Sequence, residues 1–249
     1  MNKKIEEKNH QKGNDSSSEN GETHRVELIK KQNSQLKWAL FIMVSFLIII
    51  VAVPYVHMNF INTFHSHGLT FQKTKMGELV FYSTKFPVIS LTGKAIGNYA
   101  VNLRNDPREL RTVSTNVTNN TVRFTLEGEK FAPVYITLNP NMKICEDTVI
   151  SMAGLSSFLI NSGLNVSAAY ADKEYAKQQN ATYRWCDTSQ FDTVIYVTDG
   201  KETVIKEIYP HCYQIEFTDC EILRASERFQ LIILEEYMKR VRNTTSFSQ

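Results

Sequence analysis

Residues 38–56 read WALFIMVSFLIIIVAVPYV, and this stretch decides how the rest of the chain is organised. It holds no charged side chain, and as an α-helix rising about 1.5 Å per residue it nearly crosses a hydrocarbon core of about 30 Å. Trp38 and Tyr55 stand near its two ends, where amphipathic rings favour the headgroup region. A buried core helix is the alternative, but such a helix rarely lacks every charge over this length. The pattern therefore predicts one transmembrane helix over 38–56.

The basic residues predict the orientation of that span. Four of them precede it closely, whereas the first Lys or Arg after it is Lys73. Since cytoplasmic flanks carry the excess of Lys and Arg, we expect the amino end inside the cell and the carboxyl part outside. A cleavable signal peptide is the competing interpretation, but a long tail precedes the span and no A-x-A-like site follows it. We therefore predict a retained signal-anchor of type II topology in the cell membrane. The four preceding basic residues are Arg25, Lys30, Lys31 and Lys37.

The segments around the span divide the chain further. Residues 1–37 form a cytoplasmic tail, in which 1–21 are too polar to order and 22–37 allow a helix that continues into the span. Residues 57–72 are a juxtamembrane linker. Residues 73–245 are one extracytoplasmic domain, with a β-rich part over 73–130 and an α/β part over 131–242.

Composition excludes one class of partner. The chain has 249 residues, of which 42% are hydrophobic and 22% charged, and its formal net charge is +2. Nucleic-acid binding usually needs a dense basic stripe that neutralises phosphates, so no nucleic-acid partner is expected. The lipid bilayer, contacted through 38–56, is the partner that the sequence predicts directly.

Five N-x-[ST] sequons follow the span, on the side that the basic residues place outside, and one more, at Asn14, precedes it. One such motif arises easily by chance, but five on one side agree with an external location. The first two after the span are too close for both to be easily occupied. The acceptor residues after the span are Asn116, Asn119, Asn165, Asn180 and Asn243.

All four cysteines also follow the span, and an even number in an oxidising compartment favours disulfides. Three connectivities are possible. Residues 191–208 resemble a hairpin around Asp199-Gly200, and its register places Cys186 beside Tyr213. The sequence thus favours Cys186 with Cys212, which leaves Cys145 with Cys220, although Pro210 interrupts the register.

Other chemistry is conceivable for these cysteines and for the histidines. Cys220 stands in the capping box Thr218-Asp219-Cys220-Glu221, where a helix dipole would stabilise a thiolate. No C-x-x-C occurs, and the cysteine spacing matches neither a zinc ribbon nor a thioredoxin-like pair. The H-S-H pair His65 and His67, with His57, lacks further ligands, so no metal site is predicted. A redox thiol stays open as the alternative to structural disulfides.

The pattern of apolar residues predicts an α/β domain, or an α+β domain, built on a mixed sheet with helices mainly on one face. A helix is expected from Asp147, its N-cap, to Ser162, ending at Gly163. A second helix, from Asp219 to about Arg240, is apolar nearly all round between Phe229 and Leu234 and should pack centrally. An exposed, partner-binding stripe on this last helix is the alternative. The predicted strands span 79–83, 88–91, 99–103, 122–126, 134–138, 164–170 and 212–217, beside the hairpin at 191–208.

Two stretches carry a resemblance to a known group. NLRNDPREL at 102–110 and HCYQIEFTDCEILRASERFQLIILEEY at 211–237 are similar to uncharacterised, single-span, membrane-anchored surface proteins of archaea, which carry N-D-P-R and C-Y-x-I…C-E-I-L elements. The likeness covers about 97–240. It implies an archaeal envelope and a single α/β domain, and it implies no activity.

No catalytic, cofactor-binding or metal-binding residue is predicted. G-x-S-x-G, H-E-x-x-H and a Gly-rich phosphate loop are missing from the sequence, so no nucleophile or base can be named. We therefore expect a membrane-anchored binding or envelope-assembly module with an unknown protein or surface partner. The alternatives are an extracytoplasmic enzyme or thiol oxidoreductase that uses Cys220 or Cys145, and an accessory subunit of a membrane complex.

Overall fold

The computed structural model describes residues 18–56, 62–66, 68–89, 95–118, 121–124, 126–127, 130–131, 133–187 and 192–246. The chain divides into two compact units, residues 1–59 and residues 60–249. Each unit is described by itself below.

The first unit contains one long helix, α1 (Ser18–Val56). Its segment Asn33–Val56 has a mean hydropathy of 2.8 and none of it is buried inside the protein. By length and composition this segment can cross a membrane. The helix begins at Ser18, so residues 18–21 are helical where disorder was predicted. The prediction for residues 1–17 lies outside the described residues.

The second unit begins with a four-stranded antiparallel sheet. Its strands are β1 (Thr63–Ser66), β2 (Leu69–Met76), β3 (Leu79–Ile89) and β4 (Ala95–Leu103), in that order. β1 and the start of β2 lie within 57–72, so the predicted linker is shorter than expected.

β3 joins two predicted strands into one, with Pro87 inside it. β2 pairs with β3 only as far as Thr84, whereas β4 pairs with it on to Ile89. Pro87 therefore lies where β3 has only β4 beside it, and the missing N–H removes no bond to β2.

The second sheet is mixed and has six strands. They are β5 (Ser114–Asn116), β8 (Val134–Leu138), β9 (Val166–Tyr170), β10 (Thr193–Asp199), β11 (Val204–Tyr209) and β12 (Cys212–Phe217), in the spatial order β5-β11-β12-β10-β8-β9. β12, β10, β8 and β9 run parallel to one another, and β11 runs antiparallel to β12. The short pair β6 (Leu126–Glu127) and β7 (Lys130–Phe131) stands apart. The predicted strand over 122–126 is wrong, because residues 121–124 are not in a strand.

The predicted hairpin around Asp199-Gly200 is also wrong. β12 lies between β10 and β11, so those two strands do not pair. Residues 200–203 instead cross the end of β12, where the N–H of Gly200 donates to the carbonyl of Phe217 at 2.8 Å. β10 is buried along Thr193–Val197 apart from a half-buried Tyr196, as is typical of a central strand that needs a neighbour on each side. The real hairpin joins β11 to β12 through Pro210 and His211, whose φ is 66°.

Three helices follow the strands: α2 (Thr148–Asn161), α3 (Lys173–Gln178) and α4 (Ile222–Ser246). α2 ends as predicted, with Gly163 at a φ of 88°. Asp147 precedes it but makes no side-chain capping bond. α3 was not predicted, and its cap Asp172 accepts a hydrogen bond from the backbone N–H of Tyr175 at 2.7 Å.

The carboxyl-terminal helix differs from its prediction at both ends. Asp219 and Cys220 hold left-handed φ values of 48° and 63°, so α4 begins at Ile222 rather than at Asp219. The predicted capping box does not form, because the carboxylate of Glu221 accepts bonds from the side chains of Thr203 and Arg224. At its other end α4 continues beyond Arg240.

α4 lies between the two sheets. Its Phe229 ring is 5.9 Å from the ring of Tyr213 in the mixed sheet, while its Tyr237 ring is 5.6 Å from that of Phe86 in the antiparallel sheet. One continuous cluster of buried residues includes both sheets and both long helices. The central position of α4 is therefore confirmed, as is the mixed α/β content, and the antiparallel sheet adds a layer that was not predicted.

Candidate functional site

The two stretches that carry the family resemblance meet at the amino end of α4. The carboxylate of Glu227, only 4% exposed, accepts the backbone N–H of Arg104 at 2.6 Å and that of Asn105 at 2.9 Å. It also accepts the Asn105 amide at 2.8 Å. Burial raises the pKa of Glu227, although these bonds oppose the shift. The N-D-P-R turn is thus attached to α4 by one buried acid, which is an architectural role.

Asp106 and Arg108, which lie in the same turn, are hydrogen-bonded to each other. The Asp106 carboxylate accepts the backbone N–H of Arg108 at 2.9 Å and its Nε at 3.0 Å, and this bonding lowers the pKa of Asp106. The guanidinium also lies over the Phe64 ring, 4.3 Å from its centroid. Both side chains therefore hold the turn against β1.

The Cys145–Cys220 disulfide lies close to the same place, since the two cysteines directly precede α2 and α4. The hydroxyl of Ser151 donates to that of Ser226 at 2.7 Å, which joins the two helices one turn further on. Cys145 is 7% exposed, and none of the four cysteines is free. As the structure stands, neither Cys145 nor Cys220 offers the thiolate that a redox role would need.

The second disulfide, Cys186–Cys212, covers the other face of the mixed sheet. Both disulfides are the pairs that the sequence favoured. The local geometry is different, because Cys212 lies beside Val194 of the parallel strand β10, whereas the predicted hairpin register placed Tyr213 beside Cys186. Beside this disulfide Trp185 packs edge-on against Tyr196, with ring centroids 4.3 Å apart.

Burial raises the pKa values of two further groups that pack against or lie in α4, Tyr213 and Glu235. Burial raises the pKa of Tyr213 to about 12, and its hydroxyl accepts the N–H of Arg123 at 2.7 Å. Burial also raises the pKa of Glu235, which is paired with Arg228 at 3.2 Å. Each of these groups is bonded to its own chain, so they stabilise the packing of α4 rather than face a cleft.

Within the described ranges no group of three or more His, Cys, Asp or Glu could hold a metal ion. Of the histidines considered for metal, His65 lies in β1, with its Nδ1 2.9 Å from the hydroxyl of Thr70. His57 and His67 lie outside the described residues.

One side of α2 exposes several apolar side chains. Val149 is 74% exposed and Ile160 is 54% exposed, and they lie three turns apart on the same side. Ile150 is 46% exposed, and Ile144, just before the helix, is 80% exposed. The small residues Ala153, Gly154 and Ser157 lie exposed between them. We call residues 149, 150, 153, 154, 157 and 160 the α2 face.

No protein-family model, curated protein or solved structure matches this chain.

Gly154 sets the α2 face apart from an ordinary helix surface. A β-carbon at Gly154 would meet no atom within 4 Å, so nothing in the described part of the chain requires a glycine there. Glycine inside a helix costs about 1 kcal/mol relative to alanine. Gly154 and Ala153 together leave a shallow surface that the backbone of another molecule could approach closely.

Sequence reasoning missed this surface, although a signal for it was present. Residues 148–161 contain no charged side chain, yet a 14-residue helix that packs on one side must expose the other. The exposed-stripe hypothesis considered the last helix instead, and α4 proves to be buried. The signal was that α2 has no charged residue, whereas α4 has both apolar and charged residues.

Three sequons fall on described, exposed side chains. Asn116 is the last residue of β5, Asn165 directly precedes β9, and Asn180 follows α3 with a φ of 51°. Asn243 lies in α4, and Asn119 lies outside the described residues.

Proposed function

We propose that this chain is a membrane-anchored docking module of the outer cell envelope, which recruits a protein partner through the α2 face. Its amino end lies in the cytosol, α1 crosses the lipid, and the second unit matures outside, with N-linked glycans on sequon asparagines. Support comes from the basic residues before the span, from the two disulfides and from the exposed sequons.

The observation that carries the proposal is the exposure of uncharged side chains over the α2 face. Apolar residues scattered singly over a surface need no explanation, but a contiguous group on one helix marks a protein contact. Val149 and Ile160 would act as the apolar anchors, and the small residues between them would admit a partner's backbone or flat side chains.

A matched pair of acidic substitutions tests the proposal. Ala153→Glu places a carboxylate in the middle of the α2 face, whereas Gln178→Glu adds the same charge at an exposed position on α3. The intact protein is purified from its own membranes in mild detergent, and companions are quantified by mass spectrometry. We expect a stoichiometric companion with the wild type and with Gln178→Glu, reduced at least about tenfold with Ala153→Glu, since burying an unpaired charge costs more than about 1.4 kcal/mol.

The proposal fails if the companion survives Ala153→Glu in full, or if no variant carries one. Thermal unfolding of both variants must stay close to that of the wild type, so that lost recruitment is not lost folding. If the companion is a larger membrane complex, the chain is one of its accessory subunits, and the same face is its point of attachment.

A thiol oxidoreductase is the second candidate, because Cys220 lies two residues before α4 and, like Asp219, has a left-handed φ. Strained backbone of this kind gathers at functional sites. Alkylation of the protein without prior reduction tests it. Labelling of Cys145 or Cys220 supports a redox role, and labelling only after reduction and unfolding rejects it.

A further inference from the structure

Two of the sequons lie on the two edge strands of the mixed sheet or directly beside them. β5 and β9 are its two end strands, and within the described ranges no further strand flanks either of them. Asn116 is the last residue of β5, and Asn165 is the residue before the first of β9. Both side chains are exposed. Two acceptor sites that lie far apart in sequence thus occupy equivalent places on opposite sides of one sheet.

Exposed edge strands can cause a secreted or surface domain to aggregate. Their outer edge can pair with a strand of another molecule, and proteins usually prevent this with Lys, Pro, a bulge or a covering segment. Neither STN in β5 nor VSAAY in β9 contains a charged residue or a proline. Ser167 and Ala168 of β9 are exposed.

Among the described residues, a covering segment is found at only one end of β9. Tyr170 donates its N–H to the carbonyl of Thr182 at 2.9 Å and accepts the N–H of Arg184 at 3.1 Å, so residues 182–184 close the carboxyl end of the strand. Asn165 lies at the opposite, amino end. The sequon therefore marks the part of the edge that this segment leaves open.

We infer that glycans on Asn116 and Asn165 guard the two edges of the mixed sheet against pairing with other molecules. The inference rests on the proposed outer location. In the transfer, the amide nitrogen of the asparagine bonds to the anomeric carbon of a lipid-linked oligosaccharide, the amide loses a proton, and the phosphate-bearing lipid leaves. The resulting branched, hydrated sugar stands beside each edge and excludes a second strand by its volume.

The test uses the full chain, expressed in cells that glycosylate N-x-[ST] and extracted in mild detergent. Thr118→Ala and Ser167→Ala remove the two edge sequons without changing the asparagines. Thr182→Ala removes the sequon of Asn180, which lies in the turn after α3, and serves as the matched control. We expect glycan on Asn116 and Asn165 by peptide mass spectrometry, and a several-fold larger aggregated fraction by size exclusion for the double edge variant only.

A lysine rescue separates the missing glycan from a damaged fold. Ser167→Lys also destroys the sequon but places a charge on the edge, and Ser114→Lys does the same for β5 in the Thr118→Ala background. Because edge lysines block strand pairing directly, this combination should return the aggregated fraction to the wild-type level.

Three results would overturn the inference: unmodified Asn116 and Asn165, a double edge variant that stays monodisperse, or aggregation that lysine does not reverse. If Asn180 alone carries glycan, the edge inference fails while the outer location stands. If every sequon is bare and the cysteines are reduced, the outer location fails too. Recruitment through the α2 face is measured separately by Ala153→Glu.

Discussion

The two long helices of the second unit both contain many apolar residues, yet those residues have different surroundings. In α4, Phe229 and Leu231 are both 0% exposed and belong to the cluster of buried residues that includes both sheets. In α2, Leu155 and Phe158 are buried, but Val149 and Ile160 on the other side remain in solvent. The charged residues are distributed the opposite way. The more buried helix, α4, carries Glu and Arg, whereas the more exposed helix, α2, carries no charged residue. Apolar content therefore does not indicate how much of a helix is buried, and the layers around it decide.

Loss of the disulfide that precedes both helices should have the largest effect. Cys145 and Cys220 are 75 residues apart in sequence, and Cys186 and Cys212 are 26 apart. Since a longer closed loop restricts the unfolded chain more, Cys145→Ser/Cys220→Ser should lower the free energy of unfolding by about 4.5 kcal/mol and the other pair by about 3.5 kcal/mol. Urea unfolding of the wild type and of the two double cysteine variants checks this order. The reverse order would show that the ends of α2 and α4 are held together mainly by packing.

Replacing one apolar side chain in each helix by alanine compares the two helices directly. Phe229→Ala should cost about 4 kcal/mol, because it leaves a cavity between the sheets. Ile160→Ala should cost less than about 0.5 kcal/mol, since the side chain is already half in water. Both are read from urea unfolding midpoints. A loss of more than about 2 kcal/mol at Ile160 would mean that the α2 face is covered within the chain, which would remove the basis of the docking proposal.

An effect smaller than those of the disulfides and of Phe229 concerns the turn attached to α4, and it depends on pH. Arg108 lowers the pKa of Asp106 below 3.8, so the ionised carboxylate stabilises the fold above that pH and the gain is lost as pH falls through the lowered pKa. Asp106→Asn should thus unfold more easily than the wild type by about 0.5–1 kcal/mol at neutral pH. The gap should close below about pH 4, as thermal unfolding at a series of pH values would show. Arg108→Gln is the matched control, and a gap that persists unchanged to pH 3 would contradict the assignment.

The sequence predicted those elements whose signals are local. β8 and β12 begin and end where the sequence predicted, and α2 differs by one residue at its carboxyl end. The helix α3 was missed because six residues give too short a pattern to identify. The strand from Leu79 to Ile89 was divided at Pro87, because the sequence cannot show that β2 stops before that residue.

The candidate site shows the same limit. The exposed sequons and the uncharged stretch 148–161 are visible in the sequence, but their meaning is not. Only the strand order shows that Asn116 and Asn165 flank opposite ends of one sheet. Only the position of α4 between two sheets shows that α2, and not α4, presents an apolar surface to solvent.

By itself, then, the sequence determined one apolar helix able to cross a membrane, the mixed α/β content, the central helix and the expectation of disulfides. These follow from hydrophobic period, length and parity, which are properties of neighbouring residues. The tertiary structure decided that β12 lies between β10 and β11, that a second sheet covers α4, and that one side of α2 stays bare. Such choices depend on which distant surfaces bury each other, and no local pattern along the chain records them.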